Sequence, residues 1–92
     1  MISYDQIIRT VNDCAEKLHN IEDSWSLNEL RQKYKEAKDK NAGECLRIDD
    51  LIWVKEFYER YSNKTKTEIE FESDQNYFEK YVKYVKQALE RL

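Results

Sequence analysis

The acid pairs Glu22/Asp23 and Asp49/Asp50, and the thiol and imidazole of Cys14 and His19, are of types that could do chemistry in this chain. A glycosidase or phosphoryl-transfer site needs two carboxylates held across a substrate-sized cleft. Both acid pairs instead stand directly before expected helices, where acids stabilise exposed N–H groups. Capping is the cheaper explanation. Cys14 and His19 are five residues apart on one expected helix, about 140° around its axis, so they do not face each other. Cys14 also falls on the apolar stripe, where a thiol is an inert small hydrophobe. With one histidine, two cysteines and no CxxC spacing, neither a zinc site nor a redox motif can be built. The reading is therefore of a protein with no catalytic residue, no metal and no cofactor, and not of an enzyme.

A second kind of chemistry is recognition. Tyr77, Lys80, Tyr84, Gln87 and Arg91 share one shoulder of an expected C-terminal helix, beside its apolar stripe. Tyr and Arg dominate hot spots at protein interfaces because they bury a large area and keep a polar tip. The competing reading is that these tyrosines roof the core with their hydroxyls in water.

The elements that position these residues are mostly helical. Ninety-two residues with 40% hydrophobic and 38% charged content suit one folded domain, 1–92, and one Gly with no Pro argues against an all-β fold. Ser3 and Gln6 form a capping box flanked by Ile2 and Ile7, predicting a first helix from Tyr4 with its apolar stripe running to Ile21 and a left-handed closing residue at Asn20. Ser26 and Glu29, with Trp25 and Leu30, repeat the device. The second helix then stops near Gly43, the flexible exit. Asp49 is expected to cap a third helix, with Ile48 and Trp53 as its staple, although a start at Glu44 also fits. Its face of Leu51, Ile52, Val54, Phe57, Tyr58 and Tyr61 places it at the centre. The fourth follows Ser73 or Asp74 and runs to the C-terminus. The fold class is a bundle of three or four helices with one extended, β-like segment near 64–72.

That segment alternates strictly, with Lys64, Lys66, Glu68, Glu70 and Glu72 on one side and Thr65, Thr67, Ile69 and Phe71 on the other. Three arrangements would complete it. It pairs with residues 44–48 in a β-α-β unit; or with a second copy, where Lys64 meets Glu72 and Lys66 meets Glu70 in a homodimer; or it lies across the helices as a linker.

Net charge is −3. Acidic excess in residues 1–23 and 44–62 alternates with basic excess in 24–43 and 74–92, which suits contacts among helices or a charge-matched protein better than nucleic acid. A helix-turn-helix over 26–52 would need a short connection, and residues 44–50 would carry three acids toward phosphates. No signal peptide or spanning segment is visible, so a reduced cytoplasmic protein without membrane association is expected. The leading functional expectation is a small protein-binding module, of the kind phages and mobile elements encode to inhibit a host protein by occlusion. A dimeric nucleic-acid-binding regulator and a structural subunit of a larger assembly are the alternatives.

Overall fold

The computed structural model describes residues 3–21, 25–72 and 75–92. Five helices follow in order: α1 (Tyr4–Ile21), α2 (Leu27–Ala37), α3 (Ala42–Tyr61), α4 (Lys66–Glu72) and α5 (Gln75–Arg91). Among the described residues there is no strand.

Local capping starts each of the first two helices where it was expected. Ser3 N–H donates to Gln6 Oε1 at 3.0 Å and Gln6 N–H donates to Ser3 Oγ at 3.3 Å, a reciprocal box. Ser26 Oγ accepts from Glu29 N–H at 3.2 Å, and Trp25 and Leu30 lie in one apolar cluster. Asn20 does not close α1, which continues helical through Ile21. The Ile2 staple, the Glu22/Asp23 pair and the Ser73/Asp74 helix start lie outside the described residues.

The third helix starts before Asp49, in keeping with the alternative start near Glu44. Asn41 Oδ1 accepts from Glu44 N–H at 3.1 Å and caps a 20-residue α3. Gly43 is consequently inside the first turn of α3 rather than at the exit of α2, and residues 44–48 are helical rather than a strand. The connection from Ala37 to Ala42 is short, tightened by Lys40 N–H and Asn41 N–H both donating to Ala37 O. It is short enough for a helix-turn-helix, but α3 packs against α1, α2 and α5 and is not free to lie in a groove.

The extended segment is corrected outright. Thr65 Oγ1 accepts from Glu68 N–H at 3.2 Å while Glu68 Oε1 accepts from Thr65 N–H at 3.4 Å, a third capping box that turns Lys66–Glu72 into helix α4. Lys66 and Glu70, an i,i+4 pair at 4.0 Å, sit on one helical face. The ladder proposed through Lys64, Lys66, Glu68, Glu70 and Glu72 is absent because these residues no longer alternate about an extended backbone. Neither the β-α-β unit nor the paired-strand homodimer exists in this fold. Ile69, 1% exposed, is the buried core residue among the described side chains of α4.

The core has two parts joined by α3. The larger unites Ile7, Val11 and Cys14 of α1, Val54, Phe57 and Tyr61 of α3, Ile69 of α4, and Phe78, Tyr81, Val82, Val85 and Ala88 of α5. The smaller seats Leu30 of α2 on Ile48 and Leu51 of α3. Each large apolar side chain removed from water contributes roughly 1.5–3 kcal/mol. Neighbours on three sides explain why α3 has apolar residues around most of its circumference. The molecule measures 42 × 25 × 22 Å.

Candidate protein-interaction surface

Contacts between α3 and α5 run in opposite numerical order. Asp50 meets Arg91, Trp53 meets Tyr84, Phe57 meets Tyr81 and Arg60 meets Tyr77, so the helices are antiparallel. Aromatic rings fill this seam. The Trp53 ring lies 5.6 Å from Tyr81 edge-to-face and 5.5 Å from Tyr84, and Tyr77 meets Tyr81 edge-to-face at 5.6 Å. Such pairs contribute about 0.5–1.5 kcal/mol each beyond area burial.

The five residues expected on one shoulder divide in the structure. Tyr77 and Tyr84 are 48% and 47% exposed at the outer edge of the seam. Their inner faces are held by rings of α3 and α5 and their outer faces meet water. Lys80 is exposed between them. Gln87 is half-buried and lines a groove on the other side of α5 with Gln6, Glu79 and Lys83. Arg91 is committed within the chain: its guanidinium donates from Nε and Nη2 to both oxygens of Asp50 at 2.7 to 3.1 Å. The Asp50 carboxylate beside it raises the Arg91 pKa above its ordinary value, through the hydrogen bond first.

The structure adds residues from α3. Leu46, Trp53 and Arg60 are seven apart and share one side of the helix, since seven residues advance two turns less about 20°. Leu46 is 66% exposed, the most exposed large apolar side chain among those described. Arg60 donates from Nη1 to the Tyr77 hydroxyl at 3.5 Å and lies over the Tyr77 and Tyr61 rings. The spacing is visible in the sequence, but there Trp53 also reads as a helix-start staple and Leu46 as part of one possible strand.

Beneath this edge the Tyr81 hydroxyl is buried without a hydrogen-bond partner among the described residues. Burial first, then the nearby Glu56 carboxylate, raises its pKa above the ordinary phenol value. Elsewhere the concavities are open grooves in which acids and bases alternate, along α1 and α5 at Asp13, Glu16, Lys17, Lys86 and Glu90, and between α2 and α3 at Lys33, Glu36, Lys40 and Glu44. Among the described residues no three His, Cys, Asp or Glu side chains converge to hold a metal. No helix among them is long and apolar enough to cross a membrane.

The chain matches no protein-family model, no curated protein and no solved structure.

Proposed function

We propose that the protein is a non-enzymatic protein-binding module whose working surface is the α3–α5 edge: Leu46, Trp53, Arg60, Tyr77, Lys80 and Tyr84. One observation carries this reading. Half-exposed tyrosines are clamped in place by ring contacts to Trp53 and Tyr81, so a partner that covers them loses little side-chain entropy on binding. Rigid aromatic anchors flanked by cations are the composition of interface hot spots. Arg91, paired within the chain, positions the end of α5 instead of contacting a partner. Occlusion of a face on a target protein, as a phage or mobile-element inhibitor would achieve it, is the mode of action such a surface fits. The unbonded thiols Cys14 and Cys45 support a reducing, cytoplasmic compartment for that action.

Affinity capture from the native host with the wild-type chain and with Tyr77→Ala/Tyr84→Ala tests the reading, with a thermal melt to show both are folded. A single protein recovered in stoichiometric yield by the wild type and lost with the variant is the expected result. Equal recovery by both, or recovery of nucleic acid alone, would overturn it.

A further inference from the structure

The α3–α5 edge carries charge unevenly along its length. At one end Arg60 and Lys80 have no carboxylate within ion-pairing distance among the described residues. At the other, Asp49 and Asp50 face the single guanidinium of Arg91, which Asp50 occupies. Between the ends lie Trp53 and Tyr84, and Glu56 at the centre is engaged by Arg31 of α2 at 3.7 Å. From Leu46 to Arg60 this strip runs fourteen residue steps along α3, about 21 Å.

A strip that is cationic at one end, anionic at the other and aromatic in the middle is complementary to itself when turned end for end. We infer that its occupant is a second copy of this chain, in an antiparallel two-fold dimer whose axis passes near Trp53 and Tyr84. This rests on the protein-binding reading of the same surface and names the partner. In that arrangement Arg60 of each copy approaches Asp49 of the other, and the Tyr84 rings meet at the axis. Every contact occurs twice because an isologous interface repeats it. The parallel alternative sets Arg60 and Lys80 against their own copies and is disfavoured by like-charge repulsion. Nucleic acid would find Asp49 and Glu56 along the same strip as its anchoring cations. The strip falls at the small end of specific interfaces, below about 1,200 Å² in total, so the dimer is weak and concentration-dependent. Self-association through this edge would also compete with any other protein that binds it.

The test is sedimentation equilibrium over a wide concentration range on the wild type, Arg60→Glu, Asp49→Lys, and an equimolar mixture of the two variants, with circular dichroism confirming folding. In either variant alone both symmetric ion pairs become like-charged, whereas in the mixed dimer both are again opposite. The expected result is a wild-type dimer, at least a tenfold weaker dimer for each variant, and recovery to near wild-type affinity in the mixture. A wild-type chain that stays monomeric at its highest concentration overturns the inference, as does a dimer unmoved by both substitutions or a mixture that does not recover. A monomeric wild type that still loses its captured protein on Tyr77→Ala/Tyr84→Ala leaves the protein-binding reading standing and removes only the second copy. A dimer that behaves as expected, beside captured protein indifferent to those tyrosines, removes the capture reading alone.

Discussion

Arg91, the last residue of α5, closes bidentately on Asp50, a carboxylate of α3 whose side chain is 7% exposed. The pair staples the C-terminal end of the chain to the central helix. Removing a partner from a fully buried pair costs 3–5 kcal/mol, because the remaining charge is stranded. The Arg91 side chain is 59% exposed, so water can reach part of the vacated site and softens that penalty, and Arg91→Ala should lower Tm by less than the loss of a fully buried partner would. Adding Asp50→Asn to Arg91→Ala should recover part of the loss by removing the stranded charge. A double-mutant cycle in urea unfolding measures the coupling, and additive losses would show the contact to be ornamental.

Among its described side chains, helix α4 is held by buried Ile69 and by the Thr65 cap. Ile69→Ala should cost about 2–5 kcal/mol by opening a cavity among Tyr61, Phe78 and their neighbours. Thr65→Ala removes the oxygen that accepts from Glu68 N–H and should cost about 1 kcal/mol. If the segment were extended as its alternation suggests, Thr65→Ala would be nearly neutral, so urea midpoints for the two variants decide the matter.

Where structure was set by neighbours in sequence, it could be read there. The boxes at Ser3/Gln6 and Ser26/Glu29 each involve residues three apart, and both form. The same signal stands at Thr65/Glu68, where strict alternation of polar and apolar letters competes with it. Alternation is weak proof of a strand when the same letters, wound as a seven-residue helix, still bury Ile69. A start of α3 near Glu44 is legible as the alternative to Asp49, whereas the Asn41 cap behind it is obscured because Gly43 also reads as a helix exit. Asp50 could not have been assigned correctly by any local rule: its partner lies 41 positions away, and burial is decided by how α5 lands on α3. The recognition surface was half legible for the same reason. Tyr77 and Tyr84 were found from the α5 wheel, whereas Leu46, Trp53 and Arg60 belong to the surface only once the two helices are side by side.

Gly43 gives a simple check on where α3 begins. A methyl group added there would meet Asn41 Oδ1 at 3.6 Å, ordinary contact, and the position is helical. Gly43→Ala should therefore stabilise the protein by about 0.5–1 kcal/mol, since alanine gives up less backbone freedom on entering a helix. A glycine needed for a left-handed exit would respond in the opposite direction, and the sign of the Tm change separates the two.

Cys14 predicts how the fold responds to alkali. Its thiol is fully buried on α1, and burial, assisted by Asp13, pushes its pKa from 9.0 up to about 12. Below pH 9 the thiol is protonated whether the chain is folded or unfolded, and the stabilising difference is fully present. Between pH 9 and 12 the unfolded chain releases this proton and the native chain keeps it, so stability falls as pH rises through that window. Tyr81, whose pKa burial also raises above its ordinary 10.0, acts in the same direction. Urea midpoints should thus be flat from pH 7 to 9 and decline above it, with a shallower decline in Cys14→Ala, whose slope is informative even though its absolute stability is reduced. In the native protein at pH 8, Ellman's reagent should modify the half-buried Cys45 first and reach Cys14 only as fast as the chain unfolds. Equal labelling rates for the two thiols, or a midpoint that holds steady to pH 11, would contradict the burial of Cys14 between α1 and the rest of the core.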